Sequence, residues 1–313
     1  MRRAVARCFV TRDLPGPALD RLRERHEVDV WPERLPPPYE ELRARTAQAE
    51  GLLSLLTDRV DAALIDGSPR LRAIANYAVG YDNIDLRAAQ ARDIPVGNTP
   101  DVLTDATADL TFTLLLAAAR RLPDALLSVQ SNDWLTWEPK AFLGHAVHGA
   151  TLGIVGMGRI GRAVARRAEG FEMTVLHTGR DGGVPLLTLL ARADFISLHA
   201  PLTPSTRHLI DAAALETMKP TAILINTARG PIVDQAALVE ALREGQIAGA
   251  ALDVTDPEPP APDDPLLSAP NLIVAPHIGS ATHAAREAMA ALAVDNLLAA
   301  LDGAPMPHPV ALS

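Results

Sequence analysis

Thr151-Leu152-Gly153-Ile154-Val155-Gly156-Met157-Gly158-Arg159-Ile160-Gly161 is the stretch on which the fold turns. It reads as a short apolar strand that runs into Gly156-x-Gly158-x-x-Gly161, followed by Arg162-Ala163-Val164-Ala165-Arg166-Arg167-Ala168 with helical character. Three glycines alone carry little weight, because surface loops often hold as many. A strand before them and a helix starting among them supply the context that a dinucleotide fingerprint requires. Gly156 then permits the tight turn, Gly158 lets the backbone approach a pyrophosphate, and Gly161 lets helix and strand pack closely. The pyrophosphate would rest on the free amides and the positive end of that helix, with Arg159 and Ile160 in its first turn. The alternative is an ordinary strand-to-helix turn. The context favours a nicotinamide dinucleotide.

Outward from this stretch, strands and helices alternate over most of the chain, the signature of an α/β protein. Residues 4–10, 28–31, 51–54, 71–76 and 94–96 read as strands, with helices over 17–25, 39–48 and 83–92. A second series of six strands begins at Thr151: 151–155, 173–177, 195–198, 223–226, 249–252 and 272–274. That series matches a doubly wound parallel sheet. Residues 103–121 are apolar almost all round and read as a buried helix joining two domains, with Asp105 and Asp109 placed to suit its dipole. The helical pattern at 284–301 gives a second connection. The expected domains are therefore 1–98 with 284–313, and 99–283.

Composition bounds the function. At 313 residues the chain exceeds the roughly 250–300 residues at which single cores stop growing. Its 48% hydrophobic and 21% charged residues describe a well-packed globule. A net charge of −9 argues against nucleic acid or an anionic membrane as partner. The single Cys8 excludes an internal disulfide and a cysteine metal cluster, and fits a reducing cytoplasm. The N-terminal residues lack the apolar region of a signal peptide.

Ligands of such sheets lie beyond the carboxyl ends of the strands. Three late strands are followed there by reactive side chains: Arg229 in Asn226-Thr227-Ala228-Arg229-Gly230, Glu258 after Asp253-Val254-Thr255-Asp256-Pro257, and His277 in Ala275-Pro276-His277-Ile278-Gly279-Ser280. The arginine would grip a carboxylate with its two-pronged guanidinium. The histidine would handle a proton near neutral pH, and the glutamate would hold the imidazole's other nitrogen and favour the charged ring. Taken singly, Arg229 reads as a solvated cation, Glu258 as surface charge and His277 as a satisfied core residue. Together, each after a strand of a dinucleotide fold, they read as one site.

These stretches, with Val79-Gly80-Tyr81-Asp82-Asn83-Ile84-Asp85 and Asn98-Thr99-Pro100-Asp101-Val102-Leu103-Thr104-Asp105, resemble the D-isomer-specific 2-hydroxyacid dehydrogenases, most closely the glyoxylate/hydroxypyruvate reductases among them. The resemblance spans nearly the whole chain in family order. It implies a Rossmann cofactor domain and a flavodoxin-like α/β substrate domain. It further implies that Arg229 binds the substrate carboxylate and carbonyl oxygen, that His277 is the acid/base and that Glu258 is its partner. Val79 and Gly80 would offer backbone amides to the carboxylate, with Ser280 also at the substrate. Asp253, Thr227 and Gly279 would lie at the nicotinamide end, and Pro201 would line the cofactor cleft. Trp134-Leu135-Thr136-Trp137 is similar to the segment that packs homodimers in this group, with Trp137 reaching the neighbour's substrate pocket.

The implied reaction delivers hydride from a reduced nicotinamide to C2 of a 2-oxo acid while His277 protonates the alkoxide. Exclusion of water implies a hinge near 98–101 and 281–284. Where an NAD site carries an acidic residue after the second strand, this chain has Thr178-Gly179-Arg180. Arg180 suits a 2′-phosphate, so NADP(H) is expected in preference to NAD(H); the alternative has Arg180 in solvent and Asp181 on the ribose. Two departures stand out. The connection 181–192 is shorter than the family's helix-bearing one, and Asp109 replaces a more usual glutamate. The competing functions are an NAD-dependent dehydrogenase of another D-2-hydroxy acid and a dinucleotide-sensing binding protein.

Overall fold

The computed structural model describes residues 5–180 and 182–310. The chain divides into one unit formed by Met1–Leu103 with Ala281–Ser313 and a second formed by Thr104–Ser280. These crossings lie five residues after, and three before, the expected ones.

The first unit builds β1 (Arg7–Val10), α1 (Ala18–Arg23), β2 (Glu27–Val30), α2 (Tyr39–Thr46), β3 (Gly51–Ser54), α3 (Ala62–Asp66), β4 (Ala73–Asn76), α4 (Leu86–Ala91) and β5 (Val96–Gly97). Its sheet is parallel in the order β2-β1-β3-β4-β5, the flavodoxin-like winding. Phe9, Leu52, Ile74 and Val96 fill the core on one face. Helix starts are set by side chains. Asp61 accepts from the Leu64 amide at 3.0 Å and Asp85 from the Ala88 amide at 3.0 Å, so the helix expected from residue 83 begins only at Leu86. The strand expected from residue 4 starts at Arg7, and the one expected at 94–96 sits at Val96–Gly97. Cys8 is buried on β1, and burial, with Glu50 nearby, pushes its thiol up to about 12, so it is no nucleophile.

The second unit runs α5 (Thr104–Ala119), α6 (Leu122–Gln130), β6 (Thr151–Val155), α7 (Arg159–Glu169), β7 (Thr174–Gly179), β8 (Gly182–Gly183), α8 (Leu186–Arg192), β9 (Phe195–Leu198), α9 (Ala212–Thr217), β10 (Ile223–Asn226), α10 (Gln235–Arg243), β11 (Gly249–Leu252) and β12 (Leu272–Val274), with 3-10 turns at Gly230–Ile232 and Pro265–Ser268. Strand order is β12-β11-β10-β9-β6-β7-β8. The order reverses between β6 and β9, the switch point of a doubly wound sheet. Both faces are covered, which is why these strands are nearly all apolar. Phe195, Ile223 and Ile225 pack on one side with α5 and α7, while Ile196, Leu198 and Leu224 pack on the other with α8, α9 and α10.

Three sequence expectations are corrected here. The sheet has seven strands rather than six, because Gly182–Gly183 pairs antiparallel with Thr178 and Gly179. Both glycines stand at φ +101°, and a Cβ at Gly183 would lie 2.1 Å from the His177 carbonyl oxygen, so only glycine makes this hairpin. The short connection after it still carries a helix, α8, which buries Leu189 and Leu190. Helix α5 is not buried all round: Asp105, Asp109 and Thr113 form an exposed stripe, and Asp109 accepts from Arg167 Nε at 2.7 Å. The final helix, α11 (His283–Leu301), belongs to the first unit, where Met289, Val294 and Leu297 are buried against β3 and β4. No helix among the described residues is long and apolar enough to cross a membrane.

Candidate active site

Two groups of the expected residues gather at the carboxyl edge of the second unit's sheet. The first lies at the switch point. Gly156 sits at φ +97°, and a Cβ there would meet the Ala200 amide and the His199 carbonyl at 2.8 Å, so the loop after β6 is pressed against the loop after β9. A Cβ at Gly161 would stand 2.2 Å from the Gly156 carbonyl oxygen, which fixes the close approach of α7 to its own turn. At Gly158, by contrast, a Cβ would meet nothing within 4 Å, so the backbone there faces open space. It precedes the start of α7 at Arg159 and Ile160, and the first turn of a helix directs its amides out along the axis. This is the arrangement that accepts a pyrophosphate, and it fits a dinucleotide.

Thr178, Gly179 and Arg180 follow at the end of β7, beside that turn: the Gly156 amide donates to the Thr178 carbonyl at 2.9 Å. Arg180 is exposed at the tip of the β7–β8 hairpin. Asp181 lies outside the described residues. Pro201 is exposed after β9, and its carbonyl accepts from Thr206 Oγ1 at 2.6 Å. Between β9 and Pro201, His199 places Nε2 2.8 Å from Ser197 Oγ, and burial pushes its ring down to about 4.

The second group follows β10, β11 and β12. Asn226, Leu252 and Val274 are in register across these strands, so the segments that leave them start from one line. Asn226 folds the next turn with its amide: Nδ2 donates to the Arg229 carbonyl at 2.9 Å, and Oδ1 accepts from the Ala228 amide at 3.0 Å. Arg229 is half-buried there, with Nη1 on the Ala228 carbonyl at 2.8 Å. The next residue has to be glycine, since a Cβ at Gly230 would fall 1.9 Å from the Thr255 carbonyl oxygen. That contact packs the Arg229 turn against the loop that carries Glu258. Thr227 is buried, with its hydroxyl 3.0 Å from that of Thr111.

Glu258 Oε1 stands 2.5 Å from His277 Nδ1, with the two side chains 35% and 23% exposed. Asp253 ties down the backbone that carries the histidine. Its carbonyl accepts from the His277 amide at 2.9 Å, Oδ1 from the Ile278 amide at 2.7 Å, and Oδ2 from the Gly279 amide at 2.7 Å. Burial pushes the Asp253 carboxyl above the usual carboxylate range, against the opposing pull of the Ile278 amide, the nearby His277 and the Gly279 amide. His277 stands at φ +54°, a left-handed conformation uncommon among non-glycine residues. Ser280 follows, half-buried, as the last residue of this unit.

Arg229, Glu258 and His277 thus share one sheet edge with the glycine turn. The structure does not group the remaining expected residues with them: Val79 and Gly80 lie after β4 in the first unit, and Trp137 stands 80% exposed in an irregular segment after α6. Sequence reasoning passed over Asn226 as a functional residue. Its signal was a lone amide closing the otherwise apolar strand Ile223-Leu224-Ile225.

The family model for the D-isomer specific 2-hydroxyacid dehydrogenase NAD binding domain matches residues 112–279. The chain belongs to that family. It is an oxidoreductase built around a nicotinamide dinucleotide site. The chain is 50% identical over 305 residues to a glyoxylate reductase of Korarchaeum cryptofilum, covering 94% of this chain and 92% of that protein. Among solved structures, the TT0316 protein from Thermus thermophilus is 51% identical with a TM-score of 0.92, covering 97% of this chain and 100% of that one. An NADPH-dependent glyoxylate/hydroxypyruvate reductase from Sinorhizobium meliloti, solved with NADP and malonate, is 36% identical with a TM-score of 0.87, covering 98% of this chain and 97% of its own.

Proposed function

We propose that this dehydrogenase reduces a small 2-oxo acid of the glyoxylate/hydroxypyruvate class to the D-2-hydroxy acid, with NADPH preferred to NADH and His277 as the proton donor. The observation that carries the reading is the 2.5 Å pairing of His277 Nδ1 with Glu258 at the edge where the glycine turn also opens. With Glu258 ionised, Nδ1 must be the donor, so Nε2 is left as the nitrogen that exchanges a proton. A dinucleotide held at the glycine turn would supply the hydride for C2. His277 Nε2 gives its proton to the carbonyl oxygen as charge develops there, and Glu258 stabilises the imidazolium that must be present beforehand. Arg229 grips the carboxylate and faces the same oxygen, while the Val79 and Gly80 amides take the carboxylate as well. Asp253 contributes by fixing the His277 backbone. The glyoxylate reductases at about half identity support the substrate class.

Replacement of His277 or Arg229 by alanine is expected to lower turnover of glyoxylate by at least about 10²-fold, while NADPH binding, followed by fluorescence titration, stays near wild type. Unchanged turnover in either variant rejects the assignment.

The cofactor preference rests on Arg180 at the exposed end of β7. Its pairing with a 2′-phosphate is a charge-assisted bond of about 1.5–3 kcal/mol. Arg180→Ala should therefore cost about tenfold or more in kcat/KM with NADPH and little with NADH. A wild-type enzyme more efficient with NADH refutes the preference. The Sinorhizobium relative, described as NADPH-dependent, supports it.

A second copy of the chain is the partner proposed for α6 and the segment after it. No residue of α6 is buried, and Leu127, Trp134, Leu135 and Trp137 are 63%, 67%, 86% and 80% exposed. Light scattering should give a dimer, and Leu127→Glu with Trp134→Glu should give a monomer.

A further inference from the structure

The strands of the first unit end in polar residues that organise one turn. Ser54 and Asn76 are fully buried and lie opposite each other at the ends of β3 and β4. Ser54 Oγ donates to Asn76 Oδ1 at 3.1 Å, and Asn76 Nδ2 donates to the Gly80 carbonyl at 2.8 Å and to Asn83 Oδ1 at 3.1 Å. Asn83 Nδ2 in turn donates to the carbonyls of Leu55 and Asp58, each at 3.0 Å. From the other side, the segment after β5 takes the two preceding carbonyls. The Thr99 amide donates to the Ala78 carbonyl at 2.9 Å, and Asn98 Nδ2 donates to the Val79 carbonyl at 2.8 Å. Asn98 is itself held at both backbone groups: its amide donates to the His308 carbonyl at 3.2 Å, and its carbonyl accepts from Asn296 Nδ2 at 2.9 Å.

Three consecutive carbonyls, of Ala78, Val79 and Gly80, are therefore occupied by donors from the protein's interior. In a trans peptide the N–H points opposite the C=O of the preceding residue. Fixing the Ala78 carbonyl directs the Val79 amide away from Thr99, and fixing the Val79 carbonyl directs the Gly80 amide away from Asn98. Neither amide reaches an acceptor among the described residues. A half-buried turn with its carbonyls satisfied and its amides idle is electropositive, and successive free amides of this kind bind anions.

We propose that Asn98 and Asn76 are positioning residues for the substrate's carboxylate: they act through the Val79–Gly80 backbone, holding its carbonyls so that its amides stay free for the anion. The proposal rests on the reading that these amides take the carboxylate of a 2-oxo acid. Asn98, half-buried, sets the Gly80 amide directly by holding the Val79 carbonyl, next to the Thr99 amide that sets Val79, and Asn76 closes the turn beyond them.

Asn98→Asp and Asn76→Asp keep shape and acceptor oxygens but replace the donor with an oxygen that repels the carbonyl. Each should raise KM for glyoxylate, and Ki for oxamate as an anionic isostere, by about tenfold to a hundredfold, with kcat changed much less. NADPH binding and the melting temperature serve as controls for folding. The methyl ester of glyoxylate, which has no anion to seat, should lose little efficiency in the same variants, whereas a merely structural defect would lower ester and acid alike. If Asn76→Asp fails to fold, Asn98→Asp decides alone. KM and Ki within twofold of wild type in folded Asn98→Asp overturn the proposal, as does an equal loss with acid and ester. A wild-type enzyme that neither reduces glyoxylate nor binds oxamate would instead defeat the underlying functional reading, and this proposal with it.

Discussion

Acidification should destabilise this protein through His199. The ring is neutral in the fold because burial pushes it down to about 4, from an ordinary value of 6.5 in the unfolded chain. A histidine depressed in this way contributes stability that is fully present above pH 6.5 and is lost as pH falls towards 4. At pH 5 the unfolded ring is almost fully protonated and the folded one almost not at all. The difference favours unfolding by about 2 kcal/mol relative to pH 8, and by about 3 kcal/mol once pH falls below the folded value. Other groups titrate over the same range, so the decisive quantity is a double difference. Urea unfolding of wild type and His199→Gln at pH 8 and pH 5 isolates it, because glutamine keeps a polar group opposite Ser197 Oγ but cannot take up a proton. Wild type should lose about 2 kcal/mol more than the variant between the two conditions. Parallel losses would refute the reasoning. The His199 carbonyl lies against Gly156, so the same acidification should also weaken cofactor binding in wild type.

Other expectations follow from close approaches and buried bonds. Gly161→Ala puts a Cβ 2.2 Å from the Gly156 carbonyl oxygen and should cost about 1–3 kcal/mol, read as a lower melting temperature with weaker NADPH binding. Gly230→Ala, whose Cβ falls 1.9 Å from the Thr255 carbonyl oxygen, should displace the Arg229 turn and cut kcat/KM about 10²-fold. Steady-state kinetics at saturating NADPH would show it. Asp253→Asn can accept from only one of the Ile278 and Gly279 amides and faces the other with a donor. The loss is about 2 kcal/mol of local order, expected as reduced kcat and faster hydrogen exchange at residues 277–279.

The sequence was most legible where one local rule determined the outcome. Strands β3, β6, β9, β10 and β11 have the bounds their apolar runs suggest, because a strand buried on both faces leaves little freedom over where it ends; the half-buried edge strand β12 also has its expected bounds. The Gly182–Gly183 strand was invisible because two glycines have no side chains to show a pattern. The exposed stripe of α5 was hidden by its alanines and leucines, which look apolar whichever way they face; Asp109 turned out to pair with Arg167, a partner 58 residues away. His277 and Glu258 were legible as residue types after strands, but they lie 19 positions apart with β12 between them, and their contact follows only from the fold. Asn76, Asn98 and Asn226 went unnoticed as positioning residues for a related reason. An asparagine at a strand end resembles an ordinary turn former until the carbonyls it holds are known.

The discontinuity of the first unit has a consequence for synthesis. Residues 104–280 are contiguous, and their doubly wound sheet contains all its own strands and covering helices. The first unit leaves the ribosome much earlier but lacks α11, whose Ala285, Met289, Ala293, Val294 and Leu297 are buried in it. Until α11 emerges, the faces of β3 and β4 that this helix covers are unprotected apolar surface. The unit begun first is therefore finished last. A nascent chain stalled before His283 would display a folded cofactor unit preceded by an incomplete, aggregation-prone one.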